Sequence, residues 1–156
     1  MRYITLGGVE YPIHATMNAH SQITKRYNEV VLDAEALAAD EADEKQLSPA
    51  KAQKLRDRRV KAAVKKYCAD IENSLWQIAL LINEAVAFEG VMHGIDISDK
   101  VPRYPLTAQK VGMIAKANEL NADETVQAIA DELLECQGSQ KNVTAGELKS
   151  MAEKMI

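Results

Sequence analysis

The stretch from Pro49 to Glu89 constrains the fold of this chain most, because it contains no glycine and no second proline. Its apolar residues recur at steps of three and four, the period of one face of an α-helix. The members of this stripe are Val60, Val64, Tyr67, Ile71, Leu75, Ile78, Ile82 and Ala85. The sequence therefore predicts one long central helix over Pro49–Glu89, about 60 Å long at 1.5 Å per residue, with the stripe facing a core.

Residues 1–14 predict a β-hairpin. Gly7-Gly8 suits a two-residue turn with positive φ, and the flanking residues alternate as strand residues do. The predicted cross-strand pairs are Leu6–Val9, Ile4–Tyr11 and Tyr3–Pro12. Pro12 falls at a non-hydrogen-bonded position, where its missing N–H costs the ladder nothing. Because a lone hairpin is only marginally stable in water, we expect it to pack on helices or on another subunit.

Residues 15–90 predict a helical hairpin and the long helix. A first helix runs from Ala15 to about Val31, and Asp33–Glu44 then carries six acids and no base in an Ala-rich, helix-compatible segment. The first third of the long helix is instead basic; its bases are Lys51, Lys54, Arg56, Arg58, Arg59, Lys61, Lys65 and Lys66. We expect the acidic and basic segments to pair as antiparallel arms that turn at Gln46-Leu47, with Ser48-Pro49 starting the second arm.

The last part of the chain predicts a loop and then short helices. Residues 91–106 form the loop, because glycines and prolines interrupt the helical pattern from Gly90 to Pro105. Residues 107–156 form the helices, whose predicted starts are Thr107 for a helix that reaches Leu120, Asn121 with Glu124, and Thr144 with Glu147. Residues 1–156 are thus predicted to be a single α+β domain, predominantly α-helical, with the N-terminal β-hairpin packed on a helical bundle.

The residues give little support for catalysis. The three histidines do not have the spacing of metal ligands, and the two cysteines are too far apart in sequence for a Cys-x-x-Cys motif. No nucleophile motif or phosphate-binding loop is present. We therefore expect no catalytic residue, no metal and no cofactor. Cys68 and Cys136 are predicted to be buried thiols, with a disulfide as the alternative. The longest apolar run, Leu75 to Ile82, is too short to cross a bilayer, so a cytoplasmic protein is predicted.

The predicted long helix has a second apolar face. Trp76, Leu80 and Ala87 lie opposite the Val60–Ala85 stripe when residues are placed at 100° intervals. Either the C-terminal helices cover this face as ordinary core, or part of it remains available to a helical partner with Trp76 as an anchor. On the second interpretation the predicted partner-binding residues are Trp76, Leu80, Ala87 and Phe88.

Two groups of residues resemble the tail assembly chaperones of long-tailed bacteriophages and prophages. The first group is Gly8, Glu10-Tyr-Pro-Ile13 and Met17-Asn-Ala19; the second is Leu75–Ala85, Phe88–Gly94 and Leu106-Thr107. The resemblance covers most of the chain as an order of elements. It implies a non-enzymatic chaperone in the host bacterial cytoplasm that binds the long, helix-rich tape measure protein, keeps it soluble, and leaves before the virion is finished. The tail tube protein is a second candidate partner.

An alternative function from another class is a nucleic-acid-associated helical module that uses the basic Lys51–Lys66 face. The net charge of −4 provides no overall attraction to phosphate backbones or to anionic membranes. Pairing of the basic face with the acidic segment is therefore the preferred interpretation, and neither nucleic acid nor a membrane is an expected partner. Long helices also favour self-association, without fixing a number of subunits.

Overall fold

The structure, a computed structural model, describes residues 1–138. In this part of the chain two strands, β1 (Arg2–Leu6) and β2 (Val9–Ile13), precede the helices. The α-helices are α1 (Met17–Glu44), α2 (Pro49–Ala69), α3 (Ile71–His93), α4 (Ala108–Ile114), α5 (Ala117–Leu120) and α6 (Asp123–Gly138), with a 3₁₀ turn at Ser98–Lys100. The prediction of a predominantly α-helical α+β fold with an N-terminal hairpin is confirmed.

The hairpin packs one apolar face on the helices. Its strands pair antiparallel in the predicted register. Gly7 and Gly8 have φ values of 61° and 77°, which glycine adopts without steric cost in a two-residue turn. Val9, next to the turn, is exposed. The hairpin side chains that enter the core are Ile4, Leu6, Tyr11 and Ile13.

Helices α4 and α5 hold the hairpin turn. The Glu119 carboxylate accepts hydrogen bonds from the N–H groups of Gly7 at 2.8 Å and Gly8 at 3.1 Å. It also accepts one from the N–H of Lys116 at 2.9 Å, where α5 begins. The donors at Gly7, Lys116 and Gly8 hold the pKa of Glu119 below its usual value. A Cβ on Gly7 would lie 2.7 Å from the carbonyl oxygen of Ile114, so the turn also fits closely against the end of α4.

The prediction of one helix over Pro49–Glu89 is wrong, because the chain breaks at Asp70. This residue has extended backbone angles, φ −72° and ψ 115°. Its N–H donates to the carbonyl of Tyr67 at 3.2 Å, and its carboxylate accepts from the N–H of Glu72 at 3.1 Å. Asp70 therefore ends α2 and caps the start of α3, a position at which aspartate is a preferred N-cap.

The break divides the predicted apolar stripe between two environments. The α2 part packs against α1, where the rings of Tyr67 and Tyr27 meet edge to face with centroids 6.4 Å apart. Ile71, just after the break, is exposed instead of buried. The α3 part of the stripe enters the main core through Ile78, Ile82 and Ala85. The stripe therefore does not face a single core.

The predicted antiparallel pairing of the acidic and basic segments is confirmed. Arg59 on α2 pairs with Glu41 on α1 at 3.0 Å, and Arg56 pairs with Glu35 at 3.2 Å. The acidic segment does not form a separate helix, since α1 runs unbroken from Met17 to Glu44. The turn contains Gln46 at φ 53°, and the Ser48 hydroxyl accepts from the N–H of Lys51 at the start of α2, as its predicted N-cap role requires.

Helix α3 lies at the centre of the core, in contact with β2 and α4. The N–H of His14 donates to the carbonyl of Leu81 at 3.1 Å, which joins the end of the hairpin to this helix. The Asn83 amide donates to the carbonyl of Leu106 and accepts from its N–H, both at 2.8 Å. Among the residues described, α3 is the one helix whose length and mean hydropathy of 1.3 would also allow it to cross a membrane. A core helix has the same properties.

The C-terminal third differs from its prediction in three places. Helix α3 continues through Gly90 to His93 and is capped by Gly94 at φ 65°, so the loop starts later than predicted. Thr107 caps a helix as predicted, but that helix ends at Ile114 and a separate α5 follows. Asn121 ends α5 rather than starting α6, which begins at Asp123. The helix start predicted at Thr144 with Glu147 lies outside the described residues.

Candidate functional site

The histidines take part in side-chain contacts within the fold. The ring of His14 lies 4.1 Å from that of Phe88, centroid to centroid, and His93 meets the same Phe88 ring edge to face at 5.8 Å. His20 is buried with its Nε2 2.7 Å from Nε2 of Gln137, and burial lowers its pKa. Within residues 1–138, no group of three or more His, Cys, Asp or Glu side chains is placed to hold a metal ion.

Both cysteines are free thiols in the structure, but only Cys136 is buried as predicted. Cys136 is buried, with its Sγ 3.7 Å from Sδ of Met17, and Cys68 is half-buried. Burial raises the pKa of both thiols, which disfavours the nucleophilic thiolate at neutral pH. These thiols therefore contribute to packing.

The four predicted partner-binding residues lie along α3 in different surroundings. Trp76 is half-buried, with the Arg26 guanidinium carbon 3.5 Å from the centre of its ring, a cation–π contact. Leu80 is also half-buried, and both Leu80 and Trp76 pack against the core. Phe88 is half-buried against His14, and Ala87 is exposed. The apolar face is thus partly covered near Trp76 and open near Ala87.

Sequence reasoning missed two exposed apolar residues at the end of α3. Val91 is 83% exposed and Met92 is 62% exposed. They extend the predicted face by one helical turn, because Val91 follows Ala87 by four residues and Met92 follows Phe88 by four. The predicted face ends before them, because a glycine in a helical pattern indicates a helix end and Gly90 precedes both residues. Gly94, which caps the helix in the left-handed conformation, was the available signal that α3 continues.

A groove of about 750 Å³ lies between α1 and α2, and we call it the α1–α2 groove. Its apolar lining comes from Val30, Ala34 and Leu37 of α1 and from Ala63, Tyr67 and Ala69 of α2. Its charged lining consists of Asp33 on α1, and Arg59, Lys66 and Asp70 on the α2 side. The sequence predicted the pairing of the two arms from their charges but did not indicate this groove.

Ion pairs fix the two arms beside the groove. The Arg59 guanidinium donates two hydrogen bonds to Glu41, at 3.0 and 3.1 Å, and Lys45 donates a third at 2.8 Å. The hydrogen bonds from Arg59, followed by that from Lys45, lower the pKa of Glu41 to about 2. The other bases of α2 are exposed to solvent, namely Lys51, Lys54, Arg58, Lys61, Lys65 and Lys66.

Comparison with known proteins finds no family model, no curated protein and no solved structure that matches this chain.

Proposed function

We propose that this protein is a phage tail assembly chaperone, which binds the tape measure protein and keeps it soluble in the host bacterial cytoplasm during tail assembly. The resemblance of residues in the hairpin and in α3 to that chaperone family supports this proposal. The observation that carries the binding role is the exposed apolar end of α3, where Val91 is 83% exposed. Val91 and Met92 continue the apolar face that contains the predicted partner-binding residues.

This surface suits a client that is long and rich in helices. An isolated client helix exposes an apolar stripe to water, and burial of that stripe against α3 would remove the driving force for aggregation. The net charge of −4 would help to keep the complex in solution. A contact centred on the end of one helix buries little area, which is typical of associations that can be reversed, as release before virion completion requires.

Co-expression with the large helix-rich protein encoded nearby on the same genome tests this function. We expect the two proteins to co-purify and the client to stay soluble. Met92→Asp and Val91→Asp should each weaken the association roughly tenfold or more, since burying such a side chain is worth about 1.5–3 kcal/mol.

Met113→Asp is the matched control, because Met113 is 80% exposed but lies on α4. It should leave the association unchanged, and circular dichroism should show that all three variants remain folded. A client that is soluble alone and does not associate would reject the chaperone function. Equal losses with Met92→Asp and Met113→Asp would reject the end of α3 as the binding surface.

Trp76 and Leu80 remain predicted anchors of the same surface. Trp76→Ala in this assay should weaken client binding while the chain stays folded. A variant that unfolds would instead assign Trp76 to the core.

A second candidate function is supported by the exposed bases of α2. Arg56 and Arg59 pair with acids of α1, but six other bases of this helix are exposed. Binding to DNA or RNA that falls steeply with salt would support a nucleic-acid-associated module, and no binding at low salt would reject it.

A further inference from the structure

We propose that the α1–α2 groove binds one amphipathic helix of a partner protein, whose apolar stripe is flanked by basic residues on one side and acidic residues on the other. This inference deepens the proposed function and rests on it for the identity of the partner. It concerns a surface separate from the end of α3.

The spacing of the groove residues suits a helix. Val30, Ala34 and Leu37 follow one another by four and three residues, so they form one stripe on α1. Ala63 and Tyr67 form the opposite side with the same spacing on α2. A third helix laid between two packed helices inserts its side chains into such a groove, as in helix-in-groove recognition.

Leu37 provides the apolar contact that the fold itself leaves unused. It lines the groove but is 71% exposed, whereas Ala34 beside it is buried. An exposed leucine beside a buried alanine offers a partner a small, well-defined apolar contact. Leu37 is placed like a knob residue of a coiled coil, which would insert between side chains of a facing helix.

The charges of the two walls determine which helix fits. The α1 wall carries Asp33, and the α2 wall carries Arg59 and Lys66, with Asp70 at one end. Arg59 already pairs with Glu41 of α1, so Lys66 is the more available base. A bound helix is therefore complementary when its basic flank faces α1 and its acidic flank faces α2. Reversing the direction of the helix exchanges its flanks, so these charges also select one direction of binding.

Three synthetic helical peptides with the same apolar stripe test this proposal on the full chain by fluorescence polarisation. The first has one basic and one acidic flank, the second has two acidic flanks, and the third has two basic flanks. We expect the mixed peptide to bind roughly three- to fivefold more tightly than the others, as exposed ion pairs allow. Asp33→Lys makes both walls basic, and it should transfer the preference to the peptide with two acidic flanks.

Leu37→Asp and Leu32→Asp form a matched pair of variants. Both leucines lie on α1 and are highly exposed, 71% and 63%, but only Leu37 lines the groove. Leu37→Asp should weaken binding of the mixed peptide roughly tenfold or more, in line with the loss of a buried leucine contact. Leu32→Asp should leave it unchanged. Equal effects of the two variants, or the absence of any flank preference, would overturn the proposal.

The outcomes separate this proposal from the chaperone function. If Met92→Asp abolishes client binding but Leu37→Asp changes neither client nor peptide binding, the function stands and the groove assignment is overturned. If the peptides show the expected preference but no client co-purifies, the groove assignment stands and the chaperone function fails. If no peptide binds and Leu37→Asp only dissociates a dimer of this chain, a second copy occupies the groove and the proposal is overturned.

Discussion

Gly7 and Gly8 are neighbours in one turn, yet the structure requires glycine at each for a different reason. Both have positive φ, at 61° and 77°. A Cβ at Gly7 would lie 2.7 Å from the carbonyl oxygen of Ile114, whereas no atom lies within 4 Å of a Cβ at Gly8. Gly8 therefore supplies only the backbone conformation, while Gly7 also allows the turn to approach α4.

Alanine at the two positions should separate these two effects. Gly8→Ala should lower the free energy of unfolding by about 1 kcal/mol, from the strain of an alanine at positive φ. Gly7→Ala should lower it by about 2–4 kcal/mol, because the clash with Ile114 adds to the same strain. Urea unfolding followed by circular dichroism measures both values. Equal losses would show that the close approach to α4 contributes nothing.

At the scale of the elements, Asp70 decides where one helix ends and the next begins. The segment around it has no glycine or proline to stop a helix. Asp70 nevertheless directs its carboxylate to the N–H of Glu72, and this capping contact competes with continuation of the helix. The break lets α2 pair with α1 while α3 enters the core.

Removing the cap at Asp70 should destabilise the protein modestly. Asp70→Ala should lower the free energy of unfolding by about 1 kcal/mol, and Asp70→Asn should retain most of the stability, because asparagine caps nearly as well as aspartate. Urea unfolding of the two variants tests this. If Asp70→Ala were as stable as the parent chain, the capping hydrogen bond would not hold the break.

At the scale of the whole molecule, the start of the chain is joined to α6 by a partly buried charge cluster. Arg2 lies 3.3 Å from Glu132 and donates to Glu135. The Glu132 side chain is only 2% exposed, and it also accepts from the N–H of Ala15 at 3.3 Å. The hydrogen bond to Glu135 is the main reason that the pKa of Arg2 is raised. The cluster thus connects β1, the hairpin exit and α6.

Breaking this cluster should cost more than breaking an ion pair of the α1–α2 arms. Arg2→Ala leaves Glu132 buried without its guanidinium partner, and we expect a loss of about 2–4 kcal/mol in the free energy of unfolding. Arg59→Ala, which removes an exposed pair, should cost less than about 1 kcal/mol. The double variant Arg2→Met with Glu132→Met should recover much of the first loss. Urea unfolding compares these variants with the single variants Arg2→Met and Glu132→Met. A double variant as unstable as the sum of those two single variants would contradict this account.

The sequence by itself determined the features that have local causes. The register of the hairpin follows from Gly7-Gly8 and the alternation around it, and Thr107 caps its helix through its own hydroxyl. The pairing of α1 with α2 follows from opposite charges at either end of a short turn. Helix period and turn chemistry depend on neighbouring residues, so they can be read from the chain.

Only the tertiary structure decided which apolar residues are covered. The sequence indicated two apolar faces near Trp76 but not that Arg26 would lie over its ring, nor that Val91 and Leu37 would stay exposed. Local signals at Asp70 and Gly94 are compatible with the break and with the continuation through Gly90 but do not decide them, because in each case helix and loop differ by little in local free energy. Burial depends on which elements meet in space, and contacts between distant parts of the chain determine that outcome.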